Sequence, residues 1–181
     1  MLLSITPDSQ DQLIAKFAAL AIGIHVLESV LPSPIPGIKP GLANIITLVV
    51  FMGYGMVAAA WVSILRVIVG SLIVGSFLSP TFALSFSGAI TSLIALYFCG
   101  KYNDFVKTNK LNILSIAILM SMSHVGAQFI VAYIFFIPHS AMMGILPVLM
   151  TAALIFGVFN SIIAIKVNEK INRSHDSPSS I

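Results

Sequence analysis

Long apolar runs, each broken by turn residues, dominate the chain. They predict membrane helices at about 11–31, 41–54, 56–76, 81–99, 111–136 and 142–166. None shows the strict alternation of a lipid-facing barrel strand. The second run is short and ends in "FMGYG", so it parts from the third at a glycine. The expectation is an all-α polytopic membrane protein, a bundle of six transmembrane helices over 11–166. A segment 1–10 precedes it and a polar tail 167–181 follows.

The connections fall into two kinds. "PSPIPGIKPG", "FLSPT" and "PHSA" carry proline and one lysine in total, Lys39. "KYNDFVKTNK" and the tail "KVNEKINRSHDSPSSI" are basic. With both termini inside, Lys16, Lys101, Lys107, Lys110, Lys166, Lys170 and Arg173 collect on the inner side and Lys39 stands alone outside. The positive-inside rule selects that orientation in a cell or inner membrane. Proline fixes φ and removes a donor, so the stretch 32–40 is a stiff cap on the outer end, either a structural plug or a lid over a cavity.

Composition agrees with this picture. Of 181 residues, 58% are hydrophobic and only 8% charged, against about a quarter in soluble domains. The net charge of +3 is sorted by membrane side and does not point to nucleic acid. Cys99 is the single cysteine, which excludes an internal disulfide and any multi-cysteine metal site. Asp8 and Asp11 stand where a cleaved signal would carry a basic region, so the first run is expected to remain as a helix.

Polar residues inside apolar runs each need a reason, because a central arginine costs about 2.5–3.5 kcal/mol on insertion scales. Arg66 lies roughly 15 Å along the third span and Glu28 roughly 25 Å along the first, by helical rise. His25 is one turn below Glu28 and reads as a satisfied interior histidine. On the fifth span His124 and Gln128 share one helix face, and Asn44 opens the second. All of these fall in the middle or outer half, on four helices. They could form an outward-opening pocket, or act as interhelical glue with Glu28 and Arg66 neutralising each other. Along the first span Ala15, Ala19 and Gly23 recur every four residues, a stripe suited to close helix approach, within the bundle or with a partner.

The chain has no GxxxxGK[ST] loop, no HExxH, no CxxC and no GxSxG elbow. Its aspartates are scattered in terminal and loop segments, whereas a magnesium-dependent prenyl-diphosphate enzyme needs them clustered. No catalytic residue, metal site or cofactor is assigned, and the chain is expected not to be an enzyme.

"PGIKPGLANI" (36–45), then "LRVIVGSLIVGSFLSPTFALSFSGAI" (65–90), then the His-to-Gln stretch of the fifth span resemble the small membrane family called Gx transporter. Its older name is heptaprenyl diphosphate synthase component I. The resemblance spans roughly 11–165. The fifth span reads "HVGAQ", keeping His124 and Gln128 but placing Val125 where the family pattern has asparagine.

The family is similar to the substrate-binding S components of energy-coupling factor (ECF) transporters, six-helix proteins that capture vitamins or metal ions from outside. The resemblance implies a transmembrane coupling protein and ATPase subunits as partners, Ala15 and Ala19 as the contact to the former, and 32–40 as a lid. Arg66 would then hold an anionic or carbonyl-bearing part of a small-molecule substrate, with Glu28, Lys39, Asn44, His124 and Gln128 completing the polar contacts. The family name leaves a second reading, a non-catalytic membrane subunit of an isoprenoid- or quinone-related enzyme complex.

Overall fold

A computed structural model describes residues 9–30, 39, 41–42 and 44–176, with the backbone alone at 9, 10 and 172–176. Apart from Lys39, the stiff stretch 32–40 lies outside the described residues, as do most of segment 1–10 and the end of the tail.

Among the described residues five long helices follow one another: α1 (Ser9–Val30), α2 (Asn44–Val74), α3 (Pro80–Phe105), α4 (Ile113–Phe135) and α5 (Leu146–Asp176), with a 3-10 turn at Ser140–Gly144. Each is long and apolar enough to cross a membrane. Their outward faces carry large apolar side chains such as Leu27, Trp61 and Ile155, which suits a lipid solvent rather than water.

Six separate helices are expected and five are found among the described residues; the difference lies at α2, where two helical arms join at a kink. The expected spans 41–54 and 56–76 form one element whose backbone leaves the helical region only at Gly55, with φ 85 and ψ −177. That conformation is essentially restricted to glycine. In an unbroken helix Asn44 and Arg66 would stand about 33 Å apart, yet both flank His124. The arms 44–54 and 56–74 therefore double back on each other at Gly55. The first arm is about 16 Å long, about half the hydrocarbon core of a bilayer, so it falls short of a full span.

Local sequence explains the other boundaries. Ser79 caps α3 by accepting from the Phe82 N–H, with Pro80 in the first turn. Asn112 caps α4 by accepting from the Ser115 N–H at 2.8 Å. Asn103, in the last turn of α3, bonds both the N–H and the C=O of Leu111, which carries α3 past its expected end at 99. Helix α5 likewise runs on through Asp176.

In packing, α1 lies against α2, α3 against α4, and α4 against α5, with α2 also meeting α3 and α5. One apolar cluster joins both arms of α2 to Leu96, Met120 and Ala164. Leu111 and Val167 pack on it, so the basic Lys101–Lys110 connection and the lysines late in α5 share one end of the bundle. A second cluster, around Leu84, Phe129 and Met142, lies away from that basic end, and Lys39 meets Gln128 beside it.

Candidate functional site

Between these clusters the helices enclose a small polar cavity. Arg66, on the second arm of α2, is 2% exposed and lines it together with Val67. Helix α1 contributes His25 and Glu28, one turn apart, and α4 contributes His124 and Gln128, four positions apart on one face. Ser85 of α3 and Lys39 complete the lining. The space measures about 10 Å³ over the positions that a water centre can take, room for about one water.

The hydrogen bonds tie the connecting segment to the helices. Gln128 Nε2 lies 3.0 Å from His124 Nε2, and its Oε1 accepts the backbone N–H of Lys39 at 3.0 Å. Glu28 Oε1 accepts the N–H of Leu42. Asn160 of α5 donates from Nδ2 to the Gly41 carbonyl and to Ser121 Oγ, each at 3.4 Å. Gly41 holds φ +77, and a Cβ there would stand 2.9 Å from Asn44 Nδ2 and 3.2 Å from His124 Cδ2. The close approach of carboxamide and imidazole leaves room for glycine alone.

Two cations and one carboxylate meet here. Burial holds the Lys39 ammonium below its ordinary pKa of 10.5; Glu28 opposes that shift and Arg66 adds to it. Arg66 Nε is buried without a hydrogen-bond partner, as are Ser85 Oγ, both amide atoms of Asn44 and Asn160 Oδ1.

Of the residues singled out in the sequence, Glu28, Lys39, Arg66, His124 and Gln128 converge on this cavity. Asn44 does not line it but stands behind Gly41, beside His124. Glu28 and Arg66, which the helical rise separates by roughly 10 Å in depth, line the same space. His25, read as an ordinary interior histidine, also lines it. Ala15, Ala19 and Gly23 are exposed on the far side of α1, and nothing approaches within 4 Å of a Cβ at Gly23. They do not pack within the bundle. Sequence reasoning missed Asn160, although it breaks the apolar run "IFGVFNSII" much as Arg66 breaks its own.

Comparison with solved structures finds the S component of a bacterial ECF transporter. It superposes with a TM-score of 0.64 over 92% of this chain and 99% of that one, at 15% identity. At that identity the likeness is one of fold. A search of curated protein sequences found no match. The family model described as heptaprenyl diphosphate synthase component I matches residues 17–167. With most of its length covered by that model, this chain belongs to the heptaprenyl diphosphate synthase component I family.

Proposed function

We propose that this chain is the ligand-capturing membrane subunit of a small-molecule uptake transporter, working as an ECF S component does. The observation that carries the reading is Arg66, a guanidinium only 2% exposed in an apolar helix and facing a polar cavity. A buried cation at membrane depth is costly and marks a functional site by default. Glu28 answers one of the two cations, Arg66 and Lys39, and the positive excess suits an anionic or carbonyl-bearing group. The guanidinium fork offers such a group several donors in fixed geometry.

The basic connections lie at the other end of the bundle, so the positive-inside rule turns the Lys39 end outward and leaves both termini in the cytoplasm. Capture then occurs from the outer face. A vitamin- or cofactor-like molecule exceeds a space of about 10 Å³, so the elements around the cavity part to admit it. The chain carries no phosphate-binding loop, and energy comes from partner ATPase subunits through a transmembrane coupling protein. The exposed stripe Ala15, Ala19 and Gly23 gives that protein a surface for close helix approach.

The test is to purify wild type and Arg66→Ala in mild detergent and identify co-purifying small molecules by mass spectrometry. A ligand held by wild type and lost from the variant supports the reading. A lipid retained equally by both overturns it.

One observation favours the second reading, a non-catalytic subunit of an isoprenoid-related complex. At the basic end an apolar groove lined by Phe98, Tyr102, Phe105 and Leu111 carries Lys101 at its rim, a shape suited to an apolar tail with an anionic head. Co-purification of a soluble synthase rather than ATPases would favour it.

A further inference from the structure

Helix α3 carries a furrow along its outward side. Met56 and Ala60 of the second arm of α2, with Ile90, Ile94 and Phe98 of α3, line an apolar space of about 400 Å³. Phe98 also lines a second space, of about 510 Å³, with Tyr102, Phe105 and Leu111. Sharing that residue, the two follow one another from Ile90 to Phe105, roughly 22 Å of helix at 1.5 Å per residue. This matches about one bilayer leaflet with its headgroup layer. The cavity at Arg66 offers only about 10 Å³, whereas the furrow takes a chain-like molecule with no helix moved.

Apolar walls alone select no particular lipid, because any tail exchanges there for another at little gain. Selection has to come from charge. Lys101 lines the lower part of the furrow, and its Nζ lies 5.9 Å from the centroid of the Tyr97 ring, one turn back along α3. A lysine near a helix end ordinarily extends toward water; this one leans back along the wall. The connection 101–110 holds three lysines, Lys101, Lys107 and Lys110, against the single carboxylate of Asp104. Asn103 fixes that connection by bonding both the N–H and the C=O of Leu111, itself part of the lining.

We infer that this furrow is a binding site for an anionic phospholipid of the inner leaflet. One acyl chain lies along α3 between Ile90 and Phe105. The headgroup phosphate meets Lys101, within the field of Lys107 and Lys110. The negative surface of a cytoplasmic leaflet supplies such heads, and basic clusters at the ends of membrane helices attract them. The inference goes beyond capture at Arg66 and uses no feature of that cavity.

The full chain in mild detergent is titrated with phosphatidylglycerol and with phosphatidylcholine of the same acyl chains, and bound lipid is read by native mass spectrometry. Wild type is expected to hold one phosphatidylglycerol about tenfold more tightly than phosphatidylcholine. Lys101→Gln should weaken phosphatidylglycerol about fivefold and leave phosphatidylcholine unchanged. Ala60→Phe fills the upper furrow and should weaken both lipids alike. Lys166 is exposed on α5 at the same end and does not line the furrow, so Lys166→Gln should change neither.

Equal binding of the two lipids by wild type overturns the inference, and that comparison needs no variant to fold. Equal weakening by Lys101→Gln and Lys166→Gln overturns it too, since the attraction then belongs to the whole basic end. Full retention of lipid by Ala60→Phe removes the tail from the furrow. Displacement of phosphatidylglycerol by an equal concentration of farnesyl diphosphate gives the furrow to a prenyl diphosphate instead.

Discussion

Gln128 spans two roles through one carboxamide: its nitrogen meets His124 Nε2 at 3.0 Å and its oxygen accepts the Lys39 N–H at 3.0 Å. A single side chain thus fixes both the imidazole in the cavity and the segment above it. Replacing Gln128 with leucine keeps the volume and strands two buried polar partners, which costs about 1–3 kcal/mol for each group left unsatisfied. The expected outcome is a lower melting temperature in detergent and faster hydrogen exchange at Lys39. Unchanged exchange there would show that the segment is held by other means.

Gly88 tests how tightly the imidazole is set. A Cβ at this position would lie 2.8 Å from both Cε1 and Nδ1 of His124, with the helix backbone on the other side. Gly88→Ala therefore displaces the ring or the helix, and overpacking of this kind costs about 1–3 kcal/mol. Gly126 is the control on α4, where the nearest atom to a new Cβ is Met150 Cε at 3.8 Å. Gly126→Ala should be neutral or stabilise by about 0.5–1 kcal/mol, through helix propensity. Thermal melts of the two variants side by side decide the matter, and equal melting would show that the His124 ring yields freely.

Much of the cavity was legible in the sequence for one physical reason: charge and carboxamide inside an apolar run are expensive, so Arg66, Glu28, His124 and Gln128 stood out. Asn160 obeys the same rule, as a carboxamide inside the apolar run of α5. Glu28 and Arg66 line one cavity although helical rise sets them roughly 10 Å apart in depth, a gap that the reach of a long arginine side chain can cover. At "FMGYG" a break was visible. Whether glycine there separates two spans or bends one element depends on Gly55 adopting φ 85, a choice that tertiary packing makes.

Lys39 makes the stability of the fold depend on pH in a definite direction. Its pKa in the folded chain lies below the ordinary 10.5, first because it is buried. Between those two values the unfolded chain binds more protons than the folded one, so stability rises with pH across that window. Lys39→Met removes the effect. The expected result is that wild type gains on the variant as pH climbs through the alkaline range toward 10.5, measured as the difference between their melting temperatures. A constant or shrinking difference would mean that the ammonium sits in a setting that favours its charge.

On the proposed transport reading, the stripe on α1 separates assembly from folding. Ala15, Ala19 and Gly23 are exposed, and a side chain at Gly23 meets nothing within 4 Å, so Ala19→Leu and Gly23→Leu leave the bundle intact, with stability changed by no more than about 0.5 kcal/mol. Small residues matter at such a surface because they let two helix backbones approach closely. A leucine there holds a partner helix off. Both variants should therefore melt as wild type does and keep whatever ligand wild type keeps, yet lose co-purifying ATPase subunits and cellular uptake. Retention of uptake by both would place the coupling contact elsewhere on the bundle. Loss of melting temperature in step with uptake would instead make the stripe part of the chain's own packing.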